Sequence, residues 1–183
     1  MLRSTHATGA LKITLENLIM FLDISQDLLR RIDTELPHLN ALNPERATAK
    51  PANGGWSPKE ELGHLIDSAA NNHQRFIRAQ VEGEFRGQGY AQDEWVKTSG
   101  YQDMEWHAVV ELWRWYNTLL AHVIGRVPET RSKARVVIGW DGSKPLDFIV
   151  EDYVIHMQHH LDHLLGKDYV TPYPPLTEAL GKP

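Results

Sequence analysis

The residues of this sequence with the clearest chemical potential are its histidines, several of which gather toward the carboxyl end. The chain has ten histidines and no cysteine, so a bound metal ion must take nitrogen or oxygen ligands. His156 and His160 are four residues apart, and on a helix such residues lie one above the other. Both can therefore bind one ion, and His159 and His163 form a second pair with the same spacing.

The two histidine pairs differ in the direction they face. At about 100° per residue, the apolar residues of this segment centre on one side of the helix, and His159 lies about 170° from that centre. His156 and His160 flank the apolar side, where a cofactor site between the helices of a bundle is expected. We therefore predict His156 and His160 as metal ligands; the alternative is two histidines at the core edge that only form hydrogen bonds. The apolar residues are Val150, Tyr153, Met157, Leu161 and Leu164.

A third ligand must come from another helix, because one helical turn supplies only two. The second predicted helix contains His64, Asp67 and His73. Its apolar stripe includes the angular position of His73, whereas His64 points well away, so periodicity favours His73. Asp67, one turn from His64, is a candidate carboxylate behind a ligand or a candidate base. It can equally be an exposed helix acid.

Four amphipathic helices are predicted to position these residues, which indicates an all-α, antiparallel four-helix bundle. Helix one carries apolar residues at three- and four-residue steps, and Ser57-Pro58-Lys59-Glu60 forms a capping box for helix two. A short strand and turn at 136–142 precede the last helix. The predicted helices are 11–36, ended by Pro37; 57 to about 81; 103–125, capped by Asp103; and from Pro145 or Asp147 to 166. The stripe of helix one is Leu11, Leu15, Leu18, Ile19, Leu22, Leu29 and Ile32.

The remaining segments are predicted to be loops. Residues 83–100 contain glycines together with Tyr90 and Trp95, which favours an ordered loop that covers the mouth of the site. Residues 37–55 are expected to connect helices one and two, and 167–183 to form a strap or a loose tail. We expect one domain over 1–183, with its core at about 11–166.

Composition excludes several classes of function. The 183-residue chain has a formal net charge of −5 and no basic stripe, which argues against nucleic acid as a partner. No apolar run approaches the roughly 20 residues that span a bilayer, and the N-terminus lacks the pattern of a signal peptide. We expect a soluble cytoplasmic protein that acts on a small molecule and not at a membrane.

The motifs of this chain are similar to those of a known family. The last helix has the pattern H-x-x-H-H-x-x-H, and further matching segments lie upstream. Together they resemble the DinB-like superfamily, in particular its YfiT-like branch of metal-dependent hydrolases and thiol transferases, over about 11–166. The matching residues are His156, His159, His160 and His163; Trp56-Ser57; His64-Leu65-Ile66-Asp67-Ser68; Arg75-Phe76; and Tyr90, Asp93, Glu94 and Trp95.

This resemblance implies a four-helix bundle, commonly a homodimer, with a three-histidine metal site. Carried over to this sequence, the ligands are His64, His156 and His160, and His73 takes a pocket or core role. Three protein ligands with open positions suit a catalytic Zn²⁺ or Ni²⁺. We expect transfer of a low-molecular-weight thiol, such as bacillithiol, mycothiol or glutathione, to an electrophilic small molecule. The alternatives are hydrolysis of a small amide or ester, and a metal-binding helical dimer without activity.

Overall fold

The four long helices of the protein form a bundle, as predicted. The computed structural model describes residues 5–52, 54–139 and 142–173, with side chains from residue 20 onward. In the bundle, α1 and α3 each pack on both α5 and α6, so the four helices close a ring. The helices are α1 (Thr5–Ala41), α2 (Pro44–Thr48), α3 (Pro58–Glu82), α4 (Gln92–Ser99), α5 (Trp106–Ile124) and α6 (Leu146–Leu164). None of the described helices has the length and apolar character needed to cross a membrane.

Helix α1 is longer than predicted and continues through Pro37. Its last turn is stabilised by tertiary contacts, which outweigh the hydrogen bond that a proline removes. Leu39 and Leu42 lie in the core, and the Trp106 indole N–H donates to the Leu39 carbonyl at 3.0 Å. The packing of this turn therefore explains why the prediction that Pro37 ends the helix is wrong.

The buried face of α1 also differs from the predicted stripe. Leu22 and Leu29 were expected in the core, but they are 42% and 38% exposed. The core contains Phe21 and Leu28 instead, one residue earlier in each case, together with the predicted Ile32. A stripe built from leucines and isoleucines alone mixes two neighbouring faces of the helix. The side chains of Leu11, Leu15, Leu18 and Ile19 lie outside the described residues.

The start of α3 agrees with the predicted capping box. The Ser57 hydroxyl accepts from the Glu60 N–H at 3.2 Å, and the Ser57 N–H donates to the Glu60 carboxylate at 2.9 Å. Helix α5 departs from the prediction, because Asp103 lies in a 3₁₀ turn (Tyr101–Asp103) and Glu105 precedes the first residue of the helix. Helix α6 begins directly after Pro145, which was one of its two predicted starts.

A small three-stranded sheet lies beside the bundle. It consists of β1 (Glu84–Gly87), β2 (Arg135–Ile138) and β3 (Ser143–Pro145). Strand β2 pairs parallel with β1 and antiparallel with β3. The predicted strand before the last helix corresponds to β2, whereas its last residue, Trp140, and Asp141 of the predicted turn lie outside the described residues. The segment 83–100, predicted as a loop, instead contains β1 and α4, and the connector 37–55 contains α2 and the end of α1.

Candidate metal centre

Three histidines from two helices converge inside the bundle. His64 comes from the first half of α3, and His156 and His160 from successive turns of α6. One ring nitrogen of each lies within 4.8 Å of the others. The Nε2 atoms of His64 and His156 are 3.3 Å apart, and the three ring centroids are separated by 5.2, 4.8 and 4.6 Å. These are the three ligands that the family resemblance implied.

The competing third ligand, His73, lies elsewhere. Its ring packs edge-on against Tyr116 at 5.8 Å, and it takes no part in the histidine cluster. Periodicity misled at this position because the first half of α3 is enclosed on every side: each residue from Lys59 to Ala69 is buried. A helix without a solvent face has no single apolar stripe against which His64 and His73 can be ranked.

The spacing and protonation of the cluster fit a divalent metal ion. Two nitrogen ligands at Zn–N distances of about 2.0–2.1 Å in tetrahedral geometry lie about 3.3–3.4 Å apart, which matches the 3.3 Å between His64 and His156. Burial, assisted by the charge of His160, lowers the pKa of His64 to about 3. Burial and the neighbouring histidines also hold the pKa of His156 well below its usual value. Both imidazoles are therefore neutral near pH 7, the form that a metal ion requires.

A carboxylate that the sequence did not suggest supports the cluster from behind. Glu61 is 4% exposed and accepts a hydrogen bond from His160 Nδ1 at 2.9 Å. In the neutral ring this bond places the proton on Nδ1, so the lone pair of Nε2 is available to a metal ion. The exposed His163 also donates to Glu61, at 2.8 Å. Glu61 lies one turn before His64 on α3, and that spacing was the available signal.

Asp67, the carboxylate singled out from the sequence, faces another part of the protein. Its Oδ1 accepts a hydrogen bond from the Tyr101 hydroxyl at 2.8 Å. Tyr101 reaches it by lying across Gly63, where a Cβ atom would be 2.2 Å from the tyrosine ring. Glu61, and not Asp67, is therefore the carboxylate that orients a histidine of the cluster.

The remaining histidine of the motif, His159, is also turned away from the cluster nitrogens. It is partly buried, although the helical wheel placed it on the outer side, because a returning segment of chain covers it. Its Nδ1 donates to the Thr171 carbonyl at 2.7 Å. His159 and His163, the second pair with this spacing, bind different partners, Thr171 and Glu61.

The segment after α6 folds back along this helix. Asp162 accepts hydrogen bonds from the Thr171 N–H at 2.9 Å and from the Thr171 hydroxyl at 2.6 Å. Two residues later, the Tyr173 hydroxyl donates to Asp152 at 3.0 Å, and its ring lies 5.1 Å from that of His156. Tyr173 of this return segment, residues 170–173, therefore lines the site, and 174–183 lie outside the described residues.

A pocket of about 500 Å³ adjoins the histidines, which is within the usual range for a small-molecule site. His156 and His160 line this pocket, and so do Arg75 and Lys144. Tyr90, from the segment predicted to cover the mouth, forms part of the wall and packs on Trp95 at 5.0 Å. The histidine cluster is therefore accessible to a small molecule.

Together, a ring of four helices and a three-histidine cluster between two of them define a class of bundle proteins with a candidate metal site. The chain belongs to the DinB superfamily, whose family model matches residues 28–164. Its fold is similar to that of YfiT from Bacillus subtilis, described as a probable metal-dependent hydrolase with an unusual four-helix bundle topology. The TM-score is 0.62 at 15% identity, over 100% of this chain and 94% of that chain. Comparison with curated proteins finds no match.

Proposed function

We propose that the protein is a metal-dependent hydrolase of a small molecule, with His64, His156 and His160 as ligands of one divalent ion. The observation that carries the proposal is the convergence of three imidazole nitrogens within 4.8 Å at a pocket of about 500 Å³. Three nitrogen ligands with open positions are typical of catalytic sites, whereas structural zinc sites use four protein ligands. Neutral imidazoles suit Zn²⁺ and Ni²⁺.

The protein's own residues supply position and protonation state in this site. A bound divalent ion supplies Lewis-acid chemistry and lowers the pKa of a coordinated water or thiol toward neutrality. Glu61 fixes the ring of His160 and keeps the proton on Nδ1. Trp56 packs its ring 4.9 Å from His64. His156 and His160 line the pocket, where a substrate carbonyl can lie.

Hydrolysis is further supported by the shared fold, because the related YfiT is described as a probable metal-dependent hydrolase. The substrate class consistent with the site is a small amide or ester. A pocket of about 500 Å³ holds a compound of roughly drug size and excludes a folded protein or a duplex.

Transfer of a low-molecular-weight thiol is the second candidate, and one observation favours it. Asp152 is the only acid among the described residues that line the pocket, and it lies one turn from His156. A thiol that ionises at a metal site needs no separate base, so a pocket with a single acid is sufficient for thiol transfer. Because the chain has no cysteine, such a nucleophile must arrive as a second substrate.

The proposal is tested by metal analysis followed by two assays. The purified protein is analysed by mass spectrometry for bound metal, then assayed for hydrolysis of 4-nitrophenyl acetate. A parallel assay follows alkylation of glutathione, bacillithiol or mycothiol by monobromobimane. His156→Ala removes a ligand, and His122→Ala is the matched control because His122 is an exposed histidine on α5.

We expect about one Zn²⁺ or Ni²⁺ per chain and hydrolysis that is lost in His156→Ala but kept in His122→Ala. A rate that depends on added thiol, with a thiol adduct detected by mass spectrometry, would replace hydrolysis with thiol transfer. Stoichiometric metal without turnover in either assay would indicate that the protein binds metal but has no catalytic activity. Protein purified without metal, and unable to bind added Zn²⁺, would overturn the proposal.

A further inference from the structure

A single side of α3 connects the histidine cluster to an arginine farther along the helix. Arg75 follows His64 by eleven residues, which at about 100° per residue returns to within roughly 20° of the same direction. The two residues are separated by roughly 16 Å along the helix axis. Ser68 and Asn72 lie between them and also line the pocket. The pocket therefore runs along α3 from the histidines toward the guanidinium of Arg75.

The guanidinium of Arg75 has more donors than partners. It is partly buried, and its Nη1 donates to Asn72 Oδ1 at 3.1 Å. No carboxylate of the described residues lies within the 4.0 Å of an ion pair to it. A guanidinium has five N–H donors in a planar fork that matches a carboxylate. Arg75 is thus fixed by Asn72 while most of its donors remain available.

The charges around Arg75 favour an anion. Lys144 provides a second cation, and Asp152 provides one acid. Both carboxylate oxygens of Asp152 accept from the Tyr173 hydroxyl, at 3.0 Å each. Burial raises the pKa of Asp152, although Tyr173, Arg75 and Lys144 act in the opposite direction. Burial also lowers the pKa of Arg75, but a guanidinium stays charged at neutral pH. Arg75 and Lys144 together outnumber this one acid, so the part of the pocket around Arg75 has an excess of positive charge.

We propose that Arg75 is a specificity-determining residue that binds a carboxylate of the substrate. The substrate class is a small molecule with a carboxylate, which Arg75 binds, and a separate reacting group beside the histidines. The position of the reacting group rests on the proposed hydrolase function. Binding of the carboxylate by Arg75 does not rest on that function, because it involves neither a metal ion nor turnover.

Binding of a carboxylate and its neutral isostere tests this inference without an activity assay. The probes are 4-phenylbutanoate and 4-phenylbutanamide, titrated calorimetrically into the protein as purified. Arg75→Gln removes the positive charge, and Arg75→Lys keeps the charge but loses the planar fork. Arg78→Gln is the matched control, since Arg78 lies on the same helix but is exposed and pairs with Glu82.

We expect the wild-type protein to bind the carboxylate at least about tenfold more tightly than the amide, as a charge-assisted hydrogen-bonded pair requires. The ratio of carboxylate affinity to amide affinity should fall to about one in Arg75→Gln. It should be partly kept in Arg75→Lys and stay unchanged in Arg78→Gln. No measurable binding of the carboxylate by the wild type, or equal binding of both probes, would overturn the inference without any variant. A preference kept in Arg75→Gln but lost in His156→Ala would place the carboxylate at the histidines and also overturn it.

Discussion

The replacement Glu61→Gln tests whether the buried carboxylate behind His160 strengthens metal binding. Glutamine keeps the shape of the side chain and removes its charge. Glu61 accepts from His160 at 2.9 Å and is 4% exposed, so water does not replace the lost interaction. A hydrogen bond to a charged group contributes about 1.5–3 kcal/mol, and a neutral one about 0.5–1.5 kcal/mol. The difference is about 1–1.5 kcal/mol, or roughly tenfold in affinity.

We therefore expect Glu61→Gln to bind Zn²⁺ about tenfold more weakly than the wild type, within the 10- to 100-fold range of such supporting residues. Competition with a chromophoric chelator at pH 7.5 measures the dissociation constant. The control is His163→Ala, because the His163 side chain is 68% exposed and shares Glu61 without belonging to the cluster. The control should stay within about twofold of the wild type.

Two results would contradict this account of Glu61. Wild-type affinity in Glu61→Gln would show that the hydrogen bond to His160 does not strengthen the site. An equal loss in His163→Ala would show that the surface pair with His163, and not the bond to His160, is what matters. Circular dichroism of each variant establishes that its helices are intact before affinities are compared.

Two further predictions concern the histidine motif and the return segment. His156→Ala and His160→Ala should each lose stoichiometric metal in elemental analysis, whereas His159→Ala, whose Nδ1 binds the Thr171 carbonyl, should retain it; full metal in His156→Ala contradicts the ligand set. Burial alone would raise the pKa of Asp162, but hydrogen bonds, chiefly from Thr171, outweigh it and lower the pKa to about 2 from 3.8. Asp162→Asn should therefore reduce the free energy of unfolding by about 2 kcal/mol at pH 7. Because the folded-state pKa is depressed, the difference in stability between wild type and Asp162→Asn should vanish as the pH falls from about 4 to about 2, as measured by urea denaturation. A difference that stays constant with pH would show that the lowered pKa of Asp162 is not its cause.

Local rules predicted the parts of this fold that local interactions determine. The capping box at Ser57 and Glu60 involves atoms three residues apart, and the spacing of His156 and His160 follows from the helix repeat alone. Strand β1 could not be found in this way, because its partner β2 begins 51 residues later, at Arg135. Only the folded chain brings these segments together.

The candidate site required more than helix geometry. His64 was supplied by the family resemblance, against periodicity, since a fully enclosed helix segment gives no preferred direction. Glu61 was missed because its contact with His160 forms only when α3 lies against α6. Asp67 is also a carboxylate and follows His64 by one turn, as Glu61 precedes it, so spacing alone does not distinguish the two. The homodimer and the cytoplasmic location stay predictions, which light scattering of the purified protein and fractionation of cells can test.

The return segment gives the pocket one lining side chain, Tyr173, that lies outside the helical bundle. Thr171 and Tyr173 are attached to α6 by side-chain hydrogen bonds to Asp162 and Asp152, and neither residue belongs to the buried apolar core. A substitution at Tyr173 therefore changes the shape of the pocket without leaving a cavity in the bundle. Such a segment lets substrate preference diverge between homologues, or be redesigned, at little cost to the stability of the scaffold.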